Sequence, residues 1–447
     1  MSDTPRAVAM DILCQWQRRH EPLDKLSDQG LAGRAFADPR DRQLAWSLVT
    51  GVVRHLRYLD WVIAQFAKHP LAKMKPLTLQ ALRVGVFQLL FLDRVPASAA
   101  INETVAALKA ARQPKWLTGF VNGLLRNVDR KRADLAGASL APGVRHSHPD
   151  WLVRRWRERY GAARTEELLA HDNTPPPLTL RVDTARTTVA DCIERLATAG
   201  VAATPGRYCP AAIRIDEPRG AVTALPGYAE GWFQVQDEAA QLVAPLLAPF
   251  AEGEYLDGCA GLGGKTTHLA QLLPPATRLV AVEPSAPRLR LLAENLARLG
   301  LAGRVETVAE ELAGLGGHGR VFRGVLIDAP CSGLGVIRRH PDIRWNRGPA
   351  DLERFPQTQL ALLAIAADLV APGGVLVYAT CSMEPEEDEE VVARFLADHP
   401  DFSRTDAGPL LPPAAASLVN ERGELATAPD LHDLDGFFAA RLVRHAG

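Results

Sequence analysis

Long apolar runs are missing from this sequence. No stretch approaches the roughly 18 apolar residues that a membrane-spanning helix needs, and no basic segment followed by an apolar one resembles a secretion signal. These absences argue against a membrane or secreted protein. We therefore expect a cytoplasmic protein that has no membrane partner.

Cysteine is also scarce, with six residues in a chain of 447. Secreted disulfide scaffolds are short and dense in cysteine, and structural zinc sites usually contain closely spaced cysteine pairs. Neither pattern is present, so we expect reduced thiols and no metal site. The six cysteines are Cys14, Cys192, Cys209, Cys259, Cys331 and Cys381.

An excess of basic charge is absent as well. The chain has 51 lysines and arginines against 52 aspartates and glutamates, for a net charge of -1. This balance does not exclude an RNA partner, because a local basic surface is enough to bind phosphates. A chain of 447 residues is longer than those that usually fold around a single hydrophobic core, so its length predicts several domains.

The first part of the chain, residues 1–140, has a helical pattern. Leu79, Leu82 and Val86 recur at three- and four-residue steps, and we find no strand pattern there. We predict an all-helical N-terminal domain. Its clustered basic residues near 126–132 are consistent with a solvated helix end or with a surface that faces RNA.

The middle part, residues 145–235, is predicted to combine linker helices with a small α+β module. Three prolines at 175–177 mark the break, and strands and one helix follow. A ferredoxin-like fold is expected, which would suit RNA binding. In residues 236–447 a helix expected over 238–247 leads into alternating strands and helices, which predicts an α/β Rossmann-like domain that carries the chemistry.

A glycine-rich loop follows the first strand of this last domain. Residues 258–267 read GCAGLGGKTT and precede an apolar helix predicted from His268, so backbone N–H groups can meet a polar ligand. Glu283 ends the next strand, where a carboxylate can bind ribose hydroxyls. Cys259 occupies the place of the first glycine of a Walker loop, and G-x-G-x-x-G is absent. The pattern predicts an adenosine-containing cofactor and leaves NAD, ATP and S-adenosylmethionine open.

Two cysteines follow apolar runs that are typical of buried strands. Cys331 follows residues 325–327 and Cys381 follows 375–378, so both thiols are expected at the carboxyl edge of one parallel sheet, where ligands bind. A reactive thiol must ionise, and Lys265 or Arg338 nearby would favour the thiolate. The remaining cysteines outside the loop are interpreted as small buried hydrophobic residues.

Residues around Cys331 suggest contacts to RNA. Asp328 ends the same strand, and a carboxylate can accept from the exocyclic amine of cytosine. The segment 336–345 is basic and contains an aromatic ring, which favours contact with single-stranded RNA. The predicted RNA-binding residues are Arg338, Arg339, His340, Arg344 and Trp345.

Several segments together resemble the Nol/Nop/Sun family of RNA 5-methylcytosine methyltransferases. They are 263–266 (GGKT), 328–333 (DAPCSG) and 379–382 (ATCS), the last followed by the acidic residues 384–389. Residues 335–345 resemble the branch of that family that acts on bacterial 16S ribosomal RNA. The helical residues 1–140 resemble the NusB-like RNA-binding domain of that branch, so the likeness covers nearly the whole chain.

The resemblance implies an S-adenosyl-L-methionine-dependent enzyme. It implies Cys381 as the nucleophile that adds to C6 of cytosine, Cys331 as the group that assists product release, and Asp328 and Lys265 as the residues that hold and polarise the base. The expected substrate is a single-stranded or looped segment of 16S ribosomal RNA, methylated at C5 before full subunit assembly. A monomer is expected.

The sequence departs from the family at three positions: Leu262 replaces a proline, Glu283 replaces the commoner aspartate, and Asp388 stands where asparagine is usual. Glu311 is our assignment for the acid that contacts the adenine. The predicted cofactor-binding residues are Cys259, Ala260, Gly261, Leu262, Gly263, Gly264, Lys265, Glu283, Arg288, Glu311 and Asp328.

Three other functions are compatible with parts of the sequence. A methyltransferase acting on transfer RNA would use the same chemistry. A nicotinamide oxidoreductase fits the glycine-rich loop but leaves the paired cysteines unexplained. A non-enzymatic RNA-binding or assembly protein fits the helical half, but it has no use for cysteines at the ends of two strands.

Overall fold

A computed structural model describes residues 3–34, 36, 38–217, 220–316 and 319–446. The described chain forms two compact units. The first runs to Thr174 and also includes Ile337–Arg347, and the second comprises Pro175–Val336 and the chain from Gly348 onward. The contacts therefore group the linker helices with the helical unit, whereas the sequence-based division at 140, 145 and 236 placed them with the middle module.

The first unit is helical, and its core is lined by aliphatic side chains. Thr4 caps the first helix by accepting a hydrogen bond from the Ala7 N–H at 3.4 Å, and Pro5 occupies its first turn. The fifth helix is buried on nearly all sides because it is apolar around its circumference. The helices are α1 (Pro5–Arg19), α2 (Leu23–Leu31), α3 (Pro39–Arg54), α4 (Leu56–Phe66), α5 (Pro76–Phe91), α6 (Ala97–Ala110), α7 (Lys115–Arg130), α8 (Arg132–Ala136), α9 (Pro142–Arg145), α10 (Asp150–Tyr160) and α11 (Ala162–His171).

The second unit begins with a small antiparallel sheet. Its strands follow the order β2-β3-β1-β4, and α12 packs Cys192 and Leu196 against the sheet. This is the ferredoxin-like strand order, with a short 3-10 turn at Val222–Ala224 in place of a second helix. The elements are β1 (Leu178–Val182), α12 (Val189–Thr198), β2 (Thr204–Pro205), β3 (Ala212–Ile215) and β4 (Phe233–Val235).

The larger sheet of the second unit has the order β7-β6-β5-β8-β9-β12-β10, and β11 pairs with β12. Its strands run parallel from β7 to β9, and β12 is antiparallel to both of its main neighbours. The remaining elements are α13 (Glu238–Gln241), β5 (Glu254–Asp257), α14 (Gly264–Leu272), β6 (Arg278–Val282), α15 (Ala286–Arg298), β7 (Val305–Val308), α16 (Leu312–Leu315), β8 (Phe322–Asp328), α17 (Ile343–Asn346), α18 (Asp351–Leu369), β9 (Val370–Thr380), α19 (Glu389–Asp398), β10 (Phe402–Thr405), β11 (Leu425–Ala426), α20 (Pro429–His432) and β12 (Phe438–Arg444).

The chain order of the parallel strands reverses between β5 and β8. A crevice opens at such a switch point, at the carboxyl ends of the strands, and this is where open α/β sheets bind ligands. Asp257 pairs with Leu326 across these strands, while Asp328 pairs with Ala379 of β9. The three predicted fold classes, all-helical, ferredoxin-like and Rossmann-like, are confirmed.

Two helix boundaries differ from the sequence prediction. The helix expected over 238–247 ends at Gln241 and continues as a 3-10 turn over Ala244–Leu247, because Pro245 has no N–H to extend the α-helical ladder. The helix expected from His268 already begins at Gly264. Lys265 and Thr266 therefore lie in its first turn instead of in the loop.

The segment Ile337–Arg347, which includes α17, is packed inside the helical unit. The guanidinium of Arg344 is fully buried and donates to the Ser147 carbonyl at 3.2 Å and to Asn173 Oδ1 at 2.9 Å. Trp345 donates its indole N–H to the Val53 carbonyl at 2.8 Å. This segment thus contributes to the interior of the first unit although it lies between two strands of the second in sequence.

Within the described ranges, no helix is both long and apolar enough to cross a membrane. The same residues contain no cluster of three or more histidine, cysteine or acidic side chains that could hold a metal ion.

Candidate active site

The carboxyl end of β5 is joined to the first turn of α14 by Asp257. This side chain is 1% exposed, and its Oδ2 accepts a hydrogen bond from Thr266 Oγ1 at 2.7 Å. Burial raises the pKa of Asp257 to about 6, and the Thr266 hydrogen bond opposes that rise. Asp257 holds the two ends of the glycine-rich loop together, a role that the sequence analysis did not assign.

The loop itself requires glycine at two positions. Gly261 and Gly263 have φ angles of 56° and 86°, in the left-handed region that glycine tolerates best. The Ala260 N–H donates to the Val282 carbonyl at 3.0 Å, which ties the loop to β6. A Cβ on Gly263 would stand 2.3 Å from Cδ1 of Leu292, so a larger residue here would have to displace the Leu292 side chain.

Acidic residues follow the next two strands. Glu283 comes directly after β6, is 4% exposed, and accepts a hydrogen bond from the Ser285 N–H at 2.8 Å, which orients its carboxylate. Glu311 lies beyond the end of β7 and is exposed, as is Arg288 on α15. Leu262, in the place of the family proline, is 50% exposed.

Lys265 and Asp328 meet across the switch point. Lys265 Nζ donates to Asp328 Oδ2 at 2.7 Å, although the two residues come from α14 and the end of β8. The ammonium also lies 5.0 Å from the centroid of the Phe437 ring, within cation–π range. Lys265 is 8% exposed, whereas the side chain of Asp328 is 33% exposed, so the buried ammonium meets a carboxylate that solvent still reaches.

The two predicted reactive cysteines are brought together. Cys331 follows β8 and Cys381 follows β9, and their Sγ atoms are 3.3 Å apart. The Gly335 N–H donates to the Cys381 carbonyl at 3.1 Å, which fixes one loop against the other. The hydrogen bond to Cys381, together with burial, raises the pKa of Cys331 well above its usual range. Cys331 therefore favours its protonated form beside Cys381.

The buried carboxylate of Glu387 is hydrogen-bonded to both of the loops that carry Cys331 and Cys381. It accepts hydrogen bonds from the N–H and hydroxyl of Ser332, and from the Ser382 hydroxyl at 2.7 Å. Gln359 of α18 adds a further hydrogen bond at 3.2 Å. Ser332 and Ser382 are the residues directly after Cys331 and Cys381, so Glu387 sets the relative position of both thiols.

The surroundings of Asp388 account for its presence where the family usually has asparagine. Thr380 Oγ1 donates to its Oδ1 at 2.6 Å directly before Cys381. Complete burial raises the pKa of Asp388 well above its usual range. The environment thus favours a neutral acid, which matches the charge of the asparagine usual in the family.

The acidic run 384–389 was the available sequence signal for these two carboxylates. The run predicts an acidic turn, but it does not predict which residues the carboxylates contact. That Glu387 reaches back to Ser332, 55 residues away, depends on the packing of β8 beside β9.

The predicted RNA-binding residues lie in the helical unit. Arg344 is fully buried, so the structure contradicts its assignment as an RNA contact: its guanidinium is already bonded to backbone carbonyls. Arg338 is 8% exposed, and Trp345 packs against the helical core. Arg339 is partly exposed, and His340 lies 2.8 Å from Asp24. RNA contact by these four stays a prediction.

Of the three cysteines interpreted as small buried hydrophobic residues, Cys192 and Cys209 are buried and Cys14 is partly exposed. Cys192 is completely buried and Cys209 is 7% exposed. Burial raises the pKa of Cys192 to about 11, and it raises that of Cys14 to about 11 as well. Neither environment favours a thiolate.

Family models cover most of the chain. A model described as 16S rRNA methyltransferase RsmB/F matches residues 244–443, one described as the NusB family matches residues 3–130, and one described as the RsmF/B-like ferredoxin-like domain matches residues 148–223. These three matched regions correspond to the predicted Rossmann-like, helical and ferredoxin-like folds, respectively.

Two relatives match over nearly their full lengths. A Synechocystis protein named probable ribosomal RNA small subunit methyltransferase B is 37% identical over 444 residues, which span 98% of this chain and 99% of that one. The ribosomal RNA small subunit methyltransferase B of Serratia proteamaculans is 36% identical over 405 residues, or 91% of each chain.

Solved structures support the fold. The crystal structure of PH0851 aligns over 99% of both chains with a TM-score of 0.79 at 24% identity. A methyltransferase homolog protein from Pyrococcus horikoshii aligns over 68% of this chain and 97% of its own, with a TM-score of 0.58 at 26% identity.

Proposed function

The chain belongs to the ribosomal RNA small subunit methyltransferase B family, and we propose that it methylates C5 of one specific cytosine in 16S ribosomal RNA. The observation that carries this proposal is the cysteine pair, 3.3 Å apart, at the strand ends next to the Lys265–Asp328 contact. A methyltransferase that acts on a more nucleophilic atom has no need of two thiols. Carbon C5 of cytosine becomes nucleophilic only after a thiolate has added to C6.

S-adenosyl-L-methionine is the cofactor of this family, and it supplies the methyl group as an electrophile. The residues around the switch point fit it. The loop from Cys259 to Gly264 brings backbone close to a ligand, and Glu283 offers a fixed carboxylate to ribose hydroxyls. Arg288 and Glu311 remain proposed contacts on the exposed side of this site.

The proposed chemistry begins with Cys381. Its thiolate adds to C6 of cytosine and displaces the electrons of the C5–C6 double bond into the ring, which makes C5 an enamine-like carbon. C5 would take the methyl group, and the electron pair of the broken S–CH3 bond would stay on the sulfur of S-adenosylhomocysteine, the leaving group. Asp328 accepts from the exocyclic amine of the base, and Lys265 polarises the ring while it neutralises Asp328. The target base must leave its stack to reach these groups, so a looped segment is the proposed substrate.

Release is assigned to Cys331. After a base has taken the C5 proton, the electron pair of the C5–H bond re-forms the C5–C6 double bond, and the C6–S bond breaks with its electron pair returning to the sulfur of Cys381. Cys331 lies at hydrogen-bond distance and favours its protonated form, so it can donate a proton to the departing sulfur. Aromaticity of the ring is thereby restored. We propose that a monomer carries out this reaction before the small subunit is fully assembled.

Methylation mapping tests the substrate and the product together. Unmodified 16S ribosomal RNA and unmodified transfer RNA are each incubated with the protein and S-adenosylmethionine, and 5-methylcytosine is located by bisulfite sequencing. One cytosine in the 16S RNA is expected to become resistant to bisulfite conversion. The proposal is contradicted if 5-methylcytosine forms in the transfer RNA only, or if the methyl group is attached to another atom.

A further inference from the structure

We propose that a cavity on the helical unit binds an unpaired nucleotide of the RNA substrate, at a second site distinct from the one where methylation occurs. The cavity has a volume of about 430 Å³. It is formed by the segment between α4 and α5 together with the first turns of α5 and α7. All of its lining residues belong to the first unit, whereas the candidate active site belongs to the second.

Trp116 forms the exposed wall of this cavity. It is 71% exposed, more than any other large apolar side chain in the described part of the chain. Phe120 lies four residues further along α7, so the two rings share one face of the helix. An indole left open to solvent is a surface on which a nucleobase can stack, and such stacking tolerates any base.

The cavity is also basic. Lys68, Lys73 and Lys75 line it and are exposed, and none of the lining residues that the structure describes is acidic. A phosphate backbone that crosses this rim would meet three ammonium groups. The charges therefore complement a nucleic acid strand, while the apolar wall accommodates a base.

Thr78 provides an independent observation. It lines the cavity, is 3% exposed, and its hydroxyl has no hydrogen-bond partner among the described residues. A buried hydroxyl without a partner destabilises the fold, because it has lost its hydrogen bonds to water and forms none with the protein. A nucleobase edge carries both donors and acceptors and would satisfy this hydroxyl.

RNA fits these features better than a protein partner does. Three lysines around a single aromatic wall match a strand in which bases and phosphates alternate, and the volume falls within the range of pockets that bind small ligands. The inference rests on the proposed RNA substrate. It adds that the enzyme holds this RNA at two separated points.

The full-length protein and its Trp116→Ala variant test the inference through binding and turnover on 16S ribosomal RNA. Loss of one stacked base is expected to weaken binding roughly 5- to 150-fold, and to raise KM while kcat stays unchanged. Trp116→Phe keeps a ring and should retain most of the affinity. A short RNA that contains only the target loop should be methylated equally by all three proteins.

Lys73→Ala tests the electrostatic part, with Lys109→Ala as a matched control on α6 outside the cavity. The slope of log affinity against log salt is expected to fall by about 0.7 for Lys73→Ala and to remain at the wild-type value for Lys109→Ala. Crosslinking of 16S RNA that contains 4-thiouridine should label Trp116 or its neighbours. Thermal melting verifies that each variant is folded.

The inference is overturned if folded Trp116→Ala binds 16S RNA as tightly as the wild type, or if it loses only the capture of a ribosomal protein. A different result would count against the proposed function alone. In that case Trp116 would be needed for RNA binding, but the wild-type protein would form no 5-methylcytosine.

Discussion

The side chains that touch both cysteine loops decide how the reactive pair is arranged. Glu387 accepts from four donors on three segments, and its burial raises its pKa. Because Glu387 is completely buried, it is not available to contact a bound base, so it acts by positioning Cys331 and Cys381.

Replacing Glu387 should therefore impair chemistry more than binding. Glu387→Ala leaves the Ser332 and Ser382 hydroxyls without their acceptor, and a misplacement of about 1 Å can lower kcat about 100-fold. Affinity for S-adenosylmethionine, measured by calorimetry, should stay unchanged. Glu387→Gln keeps part of the network and should recover part of kcat, while Glu390→Gln, an exposed neighbour, should match the wild type. Equal loss of kcat and of cofactor affinity would show that Glu387 merely supports the fold.

Asp257 should give the protein a specific dependence of stability on pH. Its pKa rises on folding from an ordinary 3.8 to about 6, so the protonated form is favoured in the folded protein. The raised pKa contributes roughly 3 kcal/mol to the free energy of unfolding. This contribution is fully present below pH 4 and is lost as the pH rises to about 6. The free energy of unfolding of the wild type minus that of Asp257→Asn should fall across this window and level off above it. A constant difference from pH 4 to 7 would contradict this.

At the scale of elements, the strands that carry the site could be predicted from the sequence. The apolar runs before Asp257, Asp328 and Cys381 form buried strands because parallel strands between two helical layers need apolar side chains on both faces. That the two cysteines meet followed from this, since carboxyl ends of parallel strands share one edge. The distance between them did not follow, because it depends on Glu387.

The start of α14 could not be predicted in the same way. Glycine usually ends a helical pattern, so Gly263 and Gly264 indicated a loop up to His268. In the structure Gly263 adopts the left-handed conformation immediately before α14, and the helix begins at the next residue. Lys265 thereby lies at the position from which it reaches Asp328.

Gly263→Ala should consequently damage the cofactor loop. The left-handed conformation costs an alanine roughly 1–2 kcal/mol, and its Cβ would stand 2.3 Å from Leu292 Cδ1, so the Leu292 side chain or the loop must also shift. We expect a lower melting temperature and weaker binding of S-adenosylmethionine. Gly303→Ala, where a Cβ has open space, is the matched control and should behave like the wild type. Unchanged cofactor affinity in Gly263→Ala would mean that the loop does not contact the cofactor.

At the scale of the whole molecule, the helical unit includes a segment from a distant part of the sequence. Composition suggested RNA contacts for residues 338–345, because arginines and a tryptophan are common to RNA surfaces and to buried polar networks. Sequence alone does not reveal which of the two applies. The Arg344 guanidinium lies among the carbonyls of Ser147 and Asp172, and burial lowers its pKa to about 9.

Removing this guanidinium should destabilise the helical unit. Arg344→Ala leaves several buried carbonyls unsatisfied, and we expect a loss of roughly 3 kcal/mol in the free energy of unfolding. Denaturant unfolding measures it, and Arg94→Ala, at an exposed position of the same unit, should have little effect. If Arg344→Ala instead keeps its stability and only weakens RNA binding, the original assignment of Arg344 to RNA would be restored.

Covalent capture of the RNA tests the central claim most directly. Wild type, Cys331→Ala, Cys381→Ala and a Cys14→Ala control are incubated with unmodified 16S RNA and S-adenosylmethionine, and then separated on denaturing gels. Cys331→Ala should accumulate a protein–RNA adduct because release is blocked, Cys381→Ala should form none, and Cys14→Ala should resemble the wild type. An adduct in Cys381→Ala that is lost in Cys331→Ala would reverse the two roles. Full methylation by both variants would contradict the thiol mechanism altogether.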